Sequence, residues 1–145
     1  MAILNRNTYK AVEHHLYREK AYRMLVEEYY GNIGAPSAAQ IRGKGDHSDR
    51  TARQALQYAD PPQGIDMMRK WLIVFDAVRE RYRDTRQIQL WDAYYQYKER
   101  KTARITWQRV CDALHISQST FYLWRAEVVM CVAVYAAARE LIELA

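Results

Sequence analysis

Apolar residues recur at spacings of three and four along most of this chain, which is the pattern of amphipathic helices. The first run covers Arg6–Tyr30, and a second begins at Ile65 and reaches about Arg83. A shorter run covers Gln87–Tyr95, and a last, strongly apolar run covers Ala126–Leu144. No strand-type alternation of any length accompanies them. We therefore predict an all-α protein.

Glycine and proline divide these helical runs. Gly31 follows the first run, where glycine commonly ends a helix. Four of the five glycines lie between residues 31 and 50, and Pro61, Pro62 and Gly64 interrupt the chain again. The predicted layout is a long N-terminal helix (1–30), a flexible basic linker (31–50), a short helix and turn (51–64) and a C-terminal domain (65–145).

Ile105–Arg125 predicts two short helices joined by a tight turn, the helix-turn-helix arrangement of many DNA-binding proteins. Cys111 is a small residue where the two helices approach closely, and Ser117 is placed to cap the second helix. Phe121 and Trp124 are predicted to anchor that helix inward. His115 occupies the position where such motifs often carry glycine, so we expect it to adopt a positive φ.

Four helical segments carry one tryptophan each, at positions 71, 91, 107 and 124. The favoured interpretation is that they form the core of a small four-helix domain, because aromatic side chains dominate core burial. The alternative is a platform on which single-stranded bases stack.

The second helix of the motif is predicted to present polar and apolar side chains outward near its start. N-terminal residues of a recognition helix meet base edges. Glutamine can pair with adenine, serine can bond to several edges, and tyrosine or leucine can contact the thymine methyl group. The predicted base contacts are Gln118, Ser119, Tyr122 and Leu123.

Positive charge is concentrated around the motif. From Lys98 to Arg125 there are six positive and two negative residues, so +4 of the chain's formal net charge of +5 lies in this window. Such residues give salt-dependent affinity for DNA irrespective of sequence. The predicted DNA-backbone contacts are Lys98, Arg100, Lys101, Arg104, Ser117, Thr120 and Arg125.

The linker is also basic. It is interpreted either as a tether or as an arm that enters the minor groove, as in some helix-turn-helix proteins. The residues of this arm would be Arg42, Lys44, Arg50 and Arg53.

The residues ITWQRVCDALHISQSTFYLWR, followed by a long apolar helix, are similar to the RinA/ArpU family of bacteriophage transcriptional activators. More weakly, His14–Tyr30 resembles the N-terminal helix of that family, and Gly43–Ala59 its linker and following helix. The resemblance implies a C-terminal domain like region four of primary sigma factors. It further implies DNA binding near promoters and activation of late operons for packaging and structural genes.

We find no catalytic constellation and expect no enzyme and no cofactor. His14 and His15 are adjacent on a helix and diverge by about 100°, so no metal site is predicted. Cys111 and Cys131 indicate reduced thiols and a cytoplasmic protein. The apolar run Val128–Ala138 is too short to span a bilayer, so no membrane role is predicted.

Three functions remain open. The first is a regulator that binds double-stranded DNA, with host RNA polymerase as a further partner. The second is a small terminase-like subunit that marks phage DNA for packaging. The third is a sigma-like module that docks on RNA polymerase without reading DNA. The 126–144 helix is apolar on nearly every side and must be buried on all sides. Either the N-terminal helix packs against it within one chain, or a second copy covers it, and we predict self-association.

Overall fold

The computed structural model describes residues 4–33, 52–53, 56, 60–96 and 107–144. Within these residues it contains α-helices and no β-strand, which confirms the all-α prediction. The six helices are α1 (Arg6–Leu16), α2 (Glu19–Ile33), α3 (Gln63–Arg81), α4 (Arg86–Tyr94), α5 (Trp107–Leu114) and α6 (Gln118–Ala138).

The chain folds into two compact units. One consists of Met1–Lys20 together with Trp71–Ala145, and the other of Ala21–Lys70. The N-terminal helix α1 therefore belongs to the same unit as the predicted helix-turn-helix. In the second unit, Arg69 joins α3 to α2, because its guanidinium donates to the Tyr30 hydroxyl at 3.1 Å and lies over that ring.

The prediction of one N-terminal helix over 6–30 is wrong, because the chain turns at Tyr17–Arg18 and continues as α2. At the turn, the Arg18 N–H donates to the His15 carbonyl at 3.0 Å. An unbroken helix would place Glu13 and Glu19, six residues apart, on different faces. The turn allows both carboxylates to be buried.

The prediction that Gly31 ends the N-terminal helix is also wrong, because α2 continues to Ile33. No atom lies within 4 Å of where a Cβ on Gly31 would stand, so nothing in its surroundings requires glycine.

Aromatic residues of α3 and α4 form the centre of the first unit. Trp71 and Trp91 are fully buried, and Phe75 meets the Trp91 ring edge-on with centroids 5.9 Å apart. Trp107 and Trp124 are only partly buried. The prediction of a four-tryptophan core is therefore confirmed for two residues and wrong for the other two.

The second helix of the predicted helix-turn-helix and the predicted apolar last helix are one continuous helix, α6, which ends at Ala138 rather than at 144. Glu140 then adopts a positive φ of 61°, and the Leu141 N–H donates to the Ala136 carbonyl at 2.9 Å, as in a Schellman ending. Val128, Val132 and Ala136 are fully buried, at spacings of four, so α6 buries one face. Val134 on another face is exposed.

Helix α6 is longer than the apolar run Val128–Ala138 that the sequence predicts to be too short for a membrane. With 21 residues, α6 is long and apolar enough to cross a bilayer by length and composition. An apolar 18-residue stretch of it is 33% buried, and core helices of soluble proteins pass the same test, so length and composition alone assign no membrane span.

Candidate nucleic-acid interface

The turn between α5 and α6 has the backbone geometry that the sequence predicts. His115 adopts a φ of 54°, which is the left-handed conformation expected at this position. The Ile116 N–H donates to the Cys111 carbonyl at 3.1 Å, which ends α5 with a Schellman bond. Three residues, 115–117, separate α5 from α6, and the two helices pack against each other.

Ser117 caps α6 as predicted. Its backbone is extended, and its hydroxyl accepts the Thr120 N–H at 3.1 Å, one of the N–H groups that have no partner within the helix. The buried Cys111 thiol donates to the Ser117 carbonyl, with sulfur and oxygen 3.7 Å apart. Burial raises the pKa of this thiol, which fits a packing residue rather than a reactive one.

Residues at the start of α4 contact both helices of the predicted helix-turn-helix. The Arg86 guanidinium donates a hydrogen bond to the Leu114 carbonyl at the end of α5 and lies over the Trp124 ring of α6. Next to it, the Gln87 amide donates to the Glu127 carboxylate at 3.2 Å. These contacts connect α4 to both helices of the motif.

The predicted base-contacting residues are all exposed. Gln118 and Ser119 lie in the first turn of α6, and the exposed fractions are 44% for Tyr122 and 58% for Leu123. Phe121 is fully buried, as predicted, and meets the Tyr94 ring edge-on. The helix therefore divides into an inward face and an accessible face at its N-terminal end.

Tyr122 has neighbours that restrict its ring. The rings of Tyr122 and Trp107 are 6.3 Å apart, and the ring of Phe121 is 5.4 Å away and nearly perpendicular. Trp107 stands at the first position of α5, so it supports an exposed residue of α6 rather than the core.

From the sequence, Arg125 is predicted to face solvent and to contact DNA phosphates. In the structure its side chain is bound by residues of the same unit. Its guanidinium donates to both oxygens of Glu13, Nε to Oε2 at 2.9 Å and Nη2 to Oε1 at 2.8 Å. The guanidinium also lies over the rings of Tyr9 and Tyr94. Because Glu13 already neutralises this charge, Arg125 is not one of the proposed phosphate contacts.

The Glu13 carboxylate has a second buried partner. The Tyr95 hydroxyl donates to Oε2 at 2.6 Å. Burial, together with the charge of Glu13, raises the pKa of Tyr95, so this hydroxyl stays protonated as a donor. Burial alone would lower the pKa of Arg125, but the neighbouring Tyr95 and Glu13 raise it above its ordinary value.

A second buried carboxylate, Glu19, is held in a similar way. Arg79 donates to both of its oxygens at 2.9 Å, and its guanidinium lies over the Trp91 ring at 4.2 Å. The Trp91 indole N–H and the Gln96 amide each donate to Oε1 at 2.9 Å. This cluster joins the start of α2 to α3 and α4.

Sequence reasoning missed both carboxylate clusters. Glu13 follows Val12, and Glu19 comes three residues after Leu16, so in the sequence both stand close to buried apolar positions. An acidic residue close to such positions was the available signal, because a carboxylate buried there requires a partner. Which arginine supplies it depends on contacts between residues far apart in the chain.

Several predicted DNA contacts lie outside the described residues. Among those that are described, Ser117 and Arg53 are exposed and Thr120 is half-buried. The predicted contacts outside the described residues are Lys98, Arg100, Lys101 and Arg104 of the backbone set and Arg42, Lys44 and Arg50 of the arm.

The two adjacent histidines, His14 and His15, have different surroundings. Their rings meet nearly at right angles, and the His15 ring stacks on Trp71 with centroids 4.0 Å apart. Burial, together with the nearby His14 and Arg18, lowers the pKa of His15 to about 4. In the part of the chain that the structure describes, no group of three or more His, Cys, Asp or Glu side chains is placed to hold a metal ion.

Comparisons of this chain with models of known protein families, with curated proteins and with solved structures find no match.

Proposed function

We propose that this protein is a transcriptional regulator that binds double-stranded DNA in a sequence-specific manner through α6. One observation carries the proposal: a capped helix, reached by a turn with His115 at positive φ, exposes Gln118, Ser119, Tyr122 and Leu123 at its start. These side chains can donate, accept and make apolar contacts, which are the interactions that read base edges.

Positive charge near the motif supports the proposal. Four of the five charged residues from Lys98 to Arg104 are positive, and this segment immediately precedes α5. We assign them, with Ser117 and Thr120, to the DNA backbone, where they supply salt-dependent affinity. The basic residues Arg42, Lys44, Arg50 and Arg53 are the proposed arm.

The biological setting follows from the resemblance to RinA/ArpU activators. We propose that the protein acts in the cytoplasm of a bacterial host as a phage or prophage activator of late genes, together with host RNA polymerase. It needs no cofactor for this and is not an enzyme.

We also propose self-association through α6 and the residues after it. Met130 and Ala137 are partly exposed and Val134 is 46% exposed, at spacings of three and four, so an apolar stripe remains accessible. A second copy of the chain can cover such a stripe.

A module that docks on RNA polymerase without reading DNA is the second candidate. The exposure of Leu123 and Tyr122 favours it, because large apolar side chains grouped on a surface are typical of protein interfaces. The two candidates differ in whether the isolated protein binds DNA.

A gel shift tests the proposal. The probe is the genomic region upstream of the gene for this chain, titrated with folded protein between about 50 and 200 mM salt. We expect a complex with this fragment that forms more tightly than with unrelated DNA of the same length and weakens as salt rises. If the folded protein shows no salt-sensitive DNA binding but still retains RNA polymerase in a pull-down, the proposed DNA-binding function is wrong and the docking module takes its place.

A further inference from the structure

We infer that α6 reads A·T base pairs and that its affinity depends on the 5-methyl group of thymine. This inference rests on the proposed function and specifies the DNA sequence class that the same surface takes.

Charge is the first feature of α6 that favours A·T pairs. Guanine is usually read by arginine or lysine, and cytosine by a carboxylate that accepts from its amino group. The first two turns of α6, residues 118–124, contain no arginine, lysine, aspartate or glutamate. The next residue, Arg125, is held by Glu13 through two hydrogen bonds. The accessible start of α6 therefore lacks the usual readers of a G·C pair.

Apolar surface is the second feature that favours A·T pairs. Leu123 is 58% exposed and Tyr122 is 44% exposed, next to each other on the helix. In the major groove, the thymine methyl is the apolar group that such side chains contact. The Tyr122 ring also contacts the rings of Trp107 and Phe121, with centroids 6.3 Å and 5.4 Å away.

Spacing is the third feature that favours A·T pairs. Gln118 and Tyr122 are four residues apart, and so are Ser119 and Leu123, so each pair lies on one stripe of the helix. In the first stripe, the Gln118 amide can pair with an adenine edge and the Tyr122 ring can contact a thymine methyl group. In the second stripe, Ser119 can bond to several base edges, and Leu123 adds a further contact for a thymine methyl group.

The test begins with selection of bound duplexes from a random-sequence DNA pool by the full-length protein. We expect A·T pairs at the core of the selected site. The best duplex is then synthesised with deoxyuridine replacing thymidine, which removes only the methyl groups. Loss of one buried methyl group should weaken binding about threefold to fourfold.

The variant Leu123→Ala should bind the thymidine duplex more weakly and distinguish it less from the deoxyuridine duplex. Because Leu123 is mostly exposed, this variant should fold. The matched control is Ile73→Ala, an exposed aliphatic residue of α3, which should keep both the affinity and the discrimination.

The outcomes separate this inference from the proposed function. Selected sites dominated by G·C pairs, or equal affinity for the two duplexes, would overturn the inference and leave DNA binding in place. No enrichment of any sequence from the pool would instead overturn the proposed function, and the inference with it.

Discussion

The Glu13 carboxylate and the Arg125 guanidinium form a bidentate ion pair although 112 residues separate them in the chain. Arg125 lies in the second half of the predicted helix-turn-helix, and Glu13 lies in the N-terminal helix. The pair therefore ties α1 to the helix proposed to bind DNA. Its side chains are 9% exposed for Glu13 and 21% exposed for Arg125, so water screens the interaction little.

Removal of the Glu13 charge should destabilise the protein strongly. In Glu13→Gln the buried guanidinium of Arg125 loses its counter-charge, a change that typically costs about 3 kcal/mol. Urea unfolding measures the loss. The control is Lys70→Ala, which breaks the exposed pair with Asp66 and should cost no more than about 0.5 kcal/mol. Equal losses for the two variants would contradict the buried role of Glu13.

Stability should fall as the pH drops from about 6.5 to about 4. The pKa of His15 is lowered from 6.5 to about 4 in the folded protein, so in this window the unfolded chain binds a proton that the folded chain does not. Acidification therefore favours unfolding. The variant His15→Phe, which can still stack on Trp71, should show a shallower slope of the free energy of unfolding against pH.

A slope for His15→Phe equal to that of the original protein would show that the half-buried imidazole of His15, stacked on Trp71, is not its cause.

The Ser117 cap should contribute to stability and to DNA binding in separable ways. Ser117→Ala removes the acceptor for the Thr120 N–H and should cost about 1 kcal/mol of unfolding free energy. Ser117→Asp can still cap the helix and should restore stability. Its negative charge should repel phosphates, so DNA affinity should fall although the fold is intact. A Ser117→Asp variant that binds DNA normally would remove Ser117 from the backbone contacts.

Base contacts and phosphate contacts should respond differently to substitution. Gln118→Ala and Tyr122→Ala should weaken the specific site more than unrelated DNA, by about 1–3 kcal/mol for a lost base contact. Arg104→Ala should weaken both and reduce the slope of log affinity against log salt by about one. Titrations over a range of salt distinguish these patterns, and an equal effect of Gln118→Ala on both DNAs would contradict base reading.

Self-association should depend on the accessible stripe of α6. Val134→Lys places a charge at an exposed position, so the monomer should stay folded while a second copy is repelled. Sedimentation of the original protein should show a dimer or higher oligomer, and the variant should show a monomer. A monomeric original protein at high micromolar concentration would refute the proposal.

Local patterns were sufficient for the parts of this protein in which neighbouring residues decide the structure. Ser117 and His115 predicted the cap and the positive φ of the turn, because both depend on the conformation of a few adjacent residues. The spacing around Phe121 predicted which side of α6 is buried. The exposed set Gln118, Ser119, Tyr122 and Leu123 followed from that spacing.

Features that depend on residues far apart in the chain could not be predicted from the sequence. No glycine or proline marks the turn at Tyr17–Arg18 in the sequence. The turn accompanies the burial of Glu13 and Glu19, and the partners of these carboxylates lie elsewhere in the chain. Arg125 appeared to be a cation on a DNA-binding surface, but Glu13 of α1 binds it inside the unit. Helical periodicity says which residues share a face, whereas the partner of a buried charge is set by the packing of helices that the chain brings together only on folding.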